Sequence, residues 1–344
     1  MELALFDYEL PPELIAQYPA ETRDGSRLLV LSRQSGERED RMFRDLSTLL
    51  HAGDCLVVNQ SRVIPARLSG QLEEGGRGVE LLLLREVDNH CWEALTRPAK
   101  RCRVGANLQL ADGHARARVL RALPLGKRVV EIECSGTVRS LLEQYGLPPL
   151  PPYIRRYQKP GSEDWERYQT VYANEEGSVA APTAGLHFTQ ELLSALERIG
   201  VEILSLTLHV GPGTFRPIRS REVERHRMES EFIQVPTETA LALNRARAEQ
   251  RRVIAVGTTT TRALETACVD GTVQPFEGRT DRYIYPGYRF TVVDGLLTNF
   301  HLPRSSLLLL VSAFTGRERI LLAYRHAIEA GYRFYSYGDA MLIV

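Results

Sequence analysis

The sequence has no long hydrophobic run and no start that resembles a leader. Leu307–Val311, even when extended loosely to Phe314, is far shorter than the roughly 20 residues that a membrane-spanning helix needs. Met1–Asp7 contains neither a basic segment nor an extended apolar core, so it is unlike a secretory signal. These absences predict a cytoplasmic protein without a membrane anchor.

Cysteine and lysine are both scarce. The five cysteines are odd in number and scattered, with no C-x-x-C pair, which argues against a disulfide framework and against a structural zinc site. Lysine occurs only at positions 100, 127 and 159. Chemistry that uses a lysine as nucleophile therefore has three candidates, and none lies in the loops that look catalytic.

Several common enzyme motifs are also missing. The sequence contains no G-x-G-x-x-G, no P-loop and no G-x-S-x-G, which argues against Rossmann oxidoreductases and methyltransferases, nucleoside triphosphatases and serine hydrolases. The 43 basic and 43 acidic residues give a formal net charge of zero. A nucleic-acid surface would therefore have to be a local patch.

The composition is that of a globular protein, and the local sequence pattern changes twice along the chain. Short strand-like runs separated by Gly, Asp and Asn occupy 63–133, a spacing typical of a small β-barrel. A proline-rich linker, Leu147–Tyr153, follows. Helical and strand patterns then alternate to the end of the chain. We predict an α/β (mixed α+β) main domain formed by 1–61 plus 153–344, with a small β-barrel domain inserted at 62–152.

The pattern also predicts individual elements of both domains. Thr189 is a plausible N-cap, and Gly200 a plausible end, of an amphipathic helix. The predicted helices are 137–144, 189–199, 237–247, 305–314 and 317–330, with a helix start at 262–268. The predicted strands or extended segments are 53–59, 201–208, 252–256, 332–337 and 340–343.

Four segments stand out because each lies in a loop between a predicted strand and a predicted helix. Such loops are where α/β sheets bind ligands. They are Ala180–Thr189, His209–Pro217, Gly257–Arg262 and Thr298–Ser306. The third contains four consecutive threonines at a helix start, where free N–H groups and the helix dipole favour a carboxylate or phosphate. The alternative is a simple N-cap, for which one threonine would suffice.

Acid–base candidates fall in or near the same segments. His187, His209 and His301 each flank one of these loops, and neutral imidazole can act as an acid or a base near pH 7. A metal site is the rival use of three histidines, but no ligand pair of known spacing is present. Glu231 is a further candidate base, with a solvated charge cluster as the alternative.

An aromatic stretch near position 285 offers a possible surface for nucleic acid. Tyr283, Tyr285, Tyr288 and Phe290 are interleaved with arginines and could stack on unpaired bases. The alternative is an exposed strand with ordinary aromatic faces.

Taken together, the segments closely resemble the S-adenosylmethionine:tRNA ribosyltransferase-isomerase family of queuosine synthesis. Ala181–Phe188 and Gly257–Glu265 are the most specific matches. The family usually has histidine where this chain has Glu229. The remaining matching stretches are Asp7–Pro11, Ile15–Pro19, Arg62–Arg67, Arg97–Lys100, Pro151–Arg155, Tyr168–Ala173, His209–Phe215 and Thr298–Leu302.

The resemblance implies the reaction. The ribosyl part of S-adenosylmethionine is transferred to 7-aminomethyl-7-deazaguanine at the wobble position of tRNA and isomerised, giving epoxyqueuosine and releasing adenine and methionine. S-adenosylmethionine is then a consumed cosubstrate, and no metal is expected. The implied partner is the tRNA anticodon loop, and we expect a monomer.

The nucleophile in this reaction belongs to the RNA, so the protein must supply only a base, an acid and binding groups. We predict acid–base roles among His187, His209, His301 and Glu231, without an assignment of which histidine does which. The predicted cosubstrate-binding residues are Thr183, Gly185, Gly211, Gly213, Thr214, Arg216, Thr258, Thr259, Thr260 and Arg262. The predicted RNA-binding basic residues are Arg97, Lys100, Arg101, Arg103, Arg155, Arg156 and Lys159.

Two other classes of function stay open on sequence alone. One is a different S-adenosylmethionine-dependent RNA enzyme, such as a methyltransferase with an unusual fold. The other is a noncatalytic RNA-binding module, although the distinctive loops are rich in Gly, Thr and His rather than in basic residues. Measuring whether adenine, S-adenosylhomocysteine or neither is released separates the three.

Overall fold

A computed structural model describes residues 1–88, 90–154 and 162–344 of the chain. Its largest element is a nine-stranded sheet. The strands of this sheet are β1 (Arg27–Leu31), β2 (Arg38–Met42), β3 (Cys55–Asn59), β12 (Glu202–Leu208), β13 (Glu231–Val235), β14 (Val253–Val256), β17 (Phe276–Thr280), β18 (Gly295–Asn299) and β19 (Ala340–Ile343). Their order across the sheet is β17-β13-β12-β3-β14-β18-β19-β1-β2.

The centre of the sheet is parallel. β12, β3, β14 and β18 run side by side in the same direction. All residues of β3, β14 and β18 are buried, as expected for parallel strands that are covered on both faces. The four carboxyl ends therefore lie along one edge of the sheet.

A closed barrel interrupts this sheet in the sequence. Its six antiparallel strands are β5 (Arg67–Leu72), β6 (Gly78–Asp88), β7 (Cys91–Arg97), β8 (Asn107–Leu110), β9 (Ala115–Ala122) and β10 (Lys127–Cys134). β7 alternates buried and half-buried residues along most of its length, which is the period-two pattern of a strand with one face on a core. The predicted fold class, an α/β main domain with an inserted β-barrel, is confirmed; the residue boundaries of the domains stay a prediction.

Short pairs of strands complete the β-structure of the described residues. β4 (Ser61–Val63) pairs in parallel with β11 (Glu175–Ser178) at the two crossings between sheet and barrel. A small hairpin, β15 (Cys268–Val269) and β16 (Thr272–Val273), follows the helix that begins after β14.

Eight α-helices occur in the described ranges. They are α1 (Leu46–Leu49), α2 (Val138–Tyr145), α3 (Ser162–Arg167), α4 (Gln190–Arg198), α5 (Thr237–Ala248), α6 (Thr258–Ala267), α7 (Ser306–Thr315) and α8 (Arg317–Glu329). The predicted N-cap of α4 is confirmed, because Thr189 Oγ accepts a hydrogen bond from the Leu192 N–H at 3.1 Å. None of the described helices has both the length and the apolar character needed to cross a membrane.

One local prediction is wrong, and one alternative raised by the sequence does not hold. The segment 332–337, predicted as extended, contains only one isolated bridge and a turn, and Tyr335 adopts a positive φ of 77°. The aromatic stretch 283–290 is not an exposed strand either. It is a loop whose aromatic rings pack against the core of the large sheet. In both places the aromatic rings are buried or partly buried in the fold, and the backbone is bent rather than extended. The local sequence pattern does not encode this burial.

Candidate active site

The distinctive loops meet at one edge of the large sheet. His209 follows β12, the threonine run follows β14, and His301 follows β18. The remaining segment, Ala180–Thr189, contains a short 3-10 helix, Thr183–His187, whose Thr183 and His187 side chains bond to Asn299 of β18. Sequence reasoning therefore brought the right loops together at the carboxyl ends of parallel strands.

A large cavity opens between this edge and the barrel. Its volume is about 1040 Å³, whereas pockets for small ligands span roughly 300–1000 Å³. The barrel contributes Trp92 and Lys127, and the sheet side contributes His209, Gly211 and Glu231. We call this space the central cavity.

His209 is the predicted histidine that lines the central cavity. Its ring stacks on Phe232 with centroids 5.3 Å apart, and Nδ1 has no hydrogen-bond partner. Partial burial lowers the pKa of His209, so the neutral ring, which can accept a proton, prevails at neutral pH. Gly177 lies directly against this ring: a Cβ there would come within 2.7 Å of Nε2.

Glu231 is neither a solvated charge nor an open base. Its side chain is 4% exposed and forms an ion pair with Arg262 Nη2 at 2.5 Å. Its other oxygen, Oε1, accepts hydrogen bonds from the Gly211 N–H and the Thr214 hydroxyl, each at 2.8 Å. Because both oxygens are occupied, we interpret Glu231 as a residue that holds the Gly211–Phe215 loop beside the cavity.

The threonine run divides into two pairs. Thr260 and Thr261 donate their hydroxyls back to the carbonyls of Val256 and Gly257, so they serve the helix itself. Thr258 and Thr259 instead line a small pocket of about 30 Å³, and Thr259 Oγ1 is buried without a hydrogen-bond partner. The N-cap alternative is therefore wrong, because Gly257 holds the N-cap position and no side chain caps the helix, whereas anion binding by Thr258 and Thr259 stays a prediction.

This small pocket, which we call the threonine pocket, adjoins the central cavity. Val210 lines both spaces. Thr183, Thr214 and His301 complete its polar wall, so four of the predicted cosubstrate residues converge on the N-terminus of α6. Such an end offers free N–H groups and a positive dipole.

His187 is a buried structural group. Its Nδ1 lies 2.7 Å from Ser26 Oγ, and its Nε2 accepts from the Asn299 amide at 3.0 Å. Asn299 in turn accepts the Thr183 hydroxyl at 3.0 Å. Burial lowers the pKa of His187 to about 3. Both ring nitrogens are therefore occupied, and the ring stays neutral at any physiological pH.

His301 is similarly enclosed. Its ring nitrogens lie 3.3 Å from the Thr298 and Tyr324 hydroxyls, and the Tyr8 hydroxyl donates to its carbonyl oxygen. Burial lowers its pKa to about 3 as well. Although it lines the threonine pocket, it does not line the central cavity, so the two sites separate the three histidines that the sequence grouped together.

Arg216 and three of the glycines predicted to bind the cosubstrate instead make contacts within the protein. Arg216 pairs with Glu229 at 3.0 Å and donates to the Leu125 carbonyl of the barrel. A Cβ at Gly213 would lie 2.8 Å from the Glu229 side chain, and one at Gly185 would collide with Tyr172. These two glycines allow close packing, whereas Gly211 presents its N–H to Glu231.

Glu229 also contacts the barrel directly. It pairs with Lys127 at 2.5 Å, so the residue that replaces the family's usual histidine links the two structural units beside the cavity. Sequence reasoning missed Lys127 and Trp92. Neither lies in a recognisable motif, and only closure of the barrel brings them to the cavity.

The candidate RNA-binding residues are distributed unevenly. Arg97, Lys100, Arg101 and Arg103 are all exposed on the barrel. Tyr283 and Tyr288 instead donate their hydroxyls to the Val223 carbonyl and to Glu265, which commits them to packing within the protein. Arg155, Arg156 and Lys159 lie outside the described residues.

Among residues 1–88, 90–154 and 162–344, no group of three or more His, Cys, Asp or Glu side chains is arranged to hold a metal ion. The expectation that no metal takes part stays a prediction.

Comparison with known proteins gives a consistent picture. The family model described as "Queuosine biosynthesis protein" matches residues 3–343. The chain belongs to this family. Similar relatives, both named S-adenosylmethionine:tRNA ribosyltransferase-isomerase, are 54% identical in Heliobacterium modesticaldum and 53% identical in Desulfitobacterium hafniense, with all of both chains covered in each case.

A solved structure is also similar to this chain over its full length. A crystal structure of S-adenosylmethionine tRNA ribosyltransferase from Thermotoga maritima is 38% identical, covers 99% of this chain and 100% of its own, and superposes with a TM-score of 0.57. The resemblance stated from the sequence motifs is therefore confirmed.

Proposed function

We propose that this chain is an S-adenosylmethionine:tRNA ribosyltransferase-isomerase that acts on 7-aminomethyl-7-deazaguanine at the tRNA wobble position. The ribosyl moiety of S-adenosylmethionine joins the aminomethyl group and isomerises, giving epoxyqueuosine, adenine and methionine. The full-length identity with relatives of that name supports the activity. The observation that extends the proposal to individual residues is the central cavity, because His209 lines it and partial burial lowers the pKa of this ring, which keeps it neutral at neutral pH.

The size of the cavity supports simultaneous binding of both substrates. A volume of about 1040 Å³ is at the upper limit of the range for small-ligand pockets, which leaves room for a base beside a nucleoside. A base that reaches this space must leave the stack of the anticodon loop, as base-modifying enzymes require. The exposed basic residues of the barrel are candidates for contacts with the phosphates of that loop.

The threonine pocket supports a place for the methionine end of the cosubstrate. At about 30 Å³ it is too small for a nucleoside but suits one carboxylate. Thr258, Thr259 and the dipole of α6 favour an anion there, and the buried Thr259 hydroxyl lacks a protein partner. With the carboxylate in this pocket, the sulfonium and ribose extend into the central cavity past Val210, which lines both.

His209 then supplies the proton chemistry. The sulfonium makes the hydrogens on the adjacent C5′ acidic, and a neutral imidazole in the cavity can remove one. Departing adenine needs a proton in return, and the resulting imidazolium can supply it. Glu231 and Arg262 act on this chemistry only by fixing the Gly211–Phe215 loop that follows His209.

Adenine release tests the proposal. Purified chain is incubated with S-adenosylmethionine and tRNA that carries 7-aminomethyl-7-deazaguanine, with guanine-bearing tRNA as the matched control. We expect adenine and methionine in equal amounts with the first tRNA and neither with the second. Formation of S-adenosylhomocysteine would assign a methyltransferase instead, and tRNA binding without any adenine would assign a noncatalytic RNA binder.

The same assay with an added chelator tests whether the reaction needs a metal ion. We expect the rate of adenine release to be unchanged after incubation with EDTA. Loss of the rate and its restoration by one added metal would contradict the proposal that the protein's own side chains carry the reaction.

A further inference from the structure

A second cluster of charge lies outside the central cavity. Arg23, Arg167 and Arg333 converge on a small pocket of about 20 Å³ whose wall also includes Ser26 and His187. That volume admits about one oxygen-sized group, so a larger ion would sit at its mouth with one corner inside.

The three guanidinium groups are held in place mainly by main-chain carbonyls. Each donates to main-chain carbonyls of the surrounding loops, which fixes its orientation without neutralising its charge. The acceptors are the carbonyl oxygens of Gln169, Leu186, Glu166, Glu21, Ala20 and Tyr18. Arg167 Nε is buried and has no hydrogen-bond partner, which leaves a charged donor unused at the cluster.

Nearby carboxylates compensate only part of this charge. Asp339 lies 3.9 Å from Arg333 Nη2 and offsets one of the three positive charges. Glu166 interacts with Arg23 but is exposed to solvent. The cluster therefore has an excess of positive charge in a partly desolvated position.

The neighbouring groups respond to this excess. Burial, with the adjacent Arg167, lowers the pKa of Arg23. After burial itself, the charge of Arg333 is the largest contribution that lowers the pKa of His187. An oxyanion at the mouth would relieve this repulsion, and guanidinium forks are well suited to bind one.

We propose that Arg23, Arg167 and Arg333 form an oxyanion site on the large domain that binds a backbone phosphate of the tRNA. The proposal rests on the proposed function for the identity of the RNA. A chain with zero net charge must bind RNA through local patches, and this cluster is a patch separate from the barrel. Ser336 lines both this pocket and the threonine pocket, so the phosphate would lie close to the cosubstrate.

The test compares full-length Arg167→Gln, Arg333→Gln and the two corresponding Lys variants with the wild type. Arg198→Gln, at an exposed arginine on α4 of the same domain, is the matched control. Affinity for the tRNA is measured against KCl concentration, and the Michaelis constants for tRNA and S-adenosylmethionine are measured by adenine release. Thermal unfolding of each variant reports any loss of fold.

We expect each Gln variant to weaken tRNA binding and to flatten the log–log salt slope by roughly 0.7–0.9 for each phosphate interaction removed. The Michaelis constant for tRNA should rise, kcat at saturating tRNA should stay within about twofold, and the Lys variants should recover part of the slope. The control should match the wild type throughout.

Three outcomes would overturn the proposal. An unchanged salt slope with a lower melting temperature would make the arginines purely structural. A raised Michaelis constant for S-adenosylmethionine alone would make its carboxylate the occupant. Stabilisation of the wild type by inorganic phosphate, absent in the variants but without any change in tRNA binding, would leave a site for free phosphate only. If the wild type binds tRNA but releases no adenine, the proposed function fails. The dependence of tRNA binding on salt would still decide whether the arginine cluster binds a phosphate.

Discussion

At the residue scale, His209 differs from His187 and His301 in having a ring nitrogen without a partner in a residue that lines the central cavity. His209→Ala should lower adenine release by ~10²–10⁴-fold, the usual share of a general acid or base, with little change in melting temperature. Because burial lowers the pKa of His209, the wild-type rate should begin to decrease only when the pH drops below 6.5, as the ring becomes protonated. His187→Ala and His301→Ala should act mainly through stability. A near-normal single-turnover rate for His209→Ala would remove His209 from the mechanism.

Gly177 gives a second test of the same ring. Its φ is +140° and a Cβ there would lie 2.7 Å from His209 Nε2, so Gly177→Ala should displace the ring as well as strain the backbone. We expect a kcat at least tenfold lower, with S-adenosylmethionine still bound. Gly78→Ala is the control, because no atom lies within 4 Å of its added methyl group. Equal rates for the two variants would show that the ring has room to move.

The sequence pattern could predict where the three histidines lie but not which of them takes part in catalysis. The strand-to-helix pattern brought three histidines to one edge of the sheet, whereas their roles depend on distant partners. Ser26, which bonds to His187, is 161 positions away in sequence, and no local pattern encodes such a contact. Only burial and hydrogen bonding separate the ring at the cavity from the two that stabilise the fold.

At the scale of elements, the pair of Glu231 and Arg262 ties β13 to α6 and to the loop after β12. Glu231→Gln would leave the Arg262 charge buried without compensation, which costs about 3–5 kcal/mol in comparable cases. We therefore expect a large drop in the free energy of unfolding. The double variant Glu231→Gln, Arg262→Met should recover much of it, since a buried pair can be replaced by apolar groups. Urea unfolding measures both.

The same pair of variants separates positioning from catalysis. If Glu231 were the base, Glu231→Gln would abolish turnover with normal stability and the double variant would not help folding. Sequence patterns could not identify this element: β13 begins with a charged residue, and its partner β17 (Phe276–Thr280) contains Glu, Gly and Arg. The exposed edge strand β2 is similarly polar. Strands of this kind lack the alternation or apolar run by which strands are recognised.

At the scale of the whole molecule, His187 and His301 couple stability to pH. Each has a pKa of about 3 in the folded chain, against about 6.5 when unfolded. The unfolded chain therefore binds more protons between these values, so their contribution is complete above pH 6.5 and is lost as the pH falls towards 3. Urea unfolding between pH 7.5 and pH 4 should show this decline. A His187→Gln, His301→Gln double variant should flatten it, and identical pH profiles would contradict the assignment.

The barrel is the remaining large-scale element, and its role in RNA binding can be tested at one loop. Arg128 donates to the carbonyls of Cys102 and Ala99 at 2.9 and 3.2 Å, which anchors the 98–103 loop beside Lys127 at the central cavity. The four exposed basic residues of this region are Arg97, Lys100, Arg101 and Arg103. Their exposure on the barrel makes them candidates for contacts with tRNA phosphates.

Gln substitutions at Lys100 and Arg101 should therefore weaken tRNA binding and flatten the log–log salt slope by roughly 0.7–0.9 for each phosphate interaction removed. The affinity for S-adenosylmethionine should not change, because neither side chain lines the central cavity or the threonine pocket. Arg116→Gln is the control, since Arg116 is an exposed barrel residue that lies 3.6 Å from Glu73 and screened surface pairs contribute little. If the two variants bind tRNA like the wild type at every salt concentration, this loop is not the RNA platform. Binding must then depend on the large domain, where the arginine cluster beside His187 is the patch to examine.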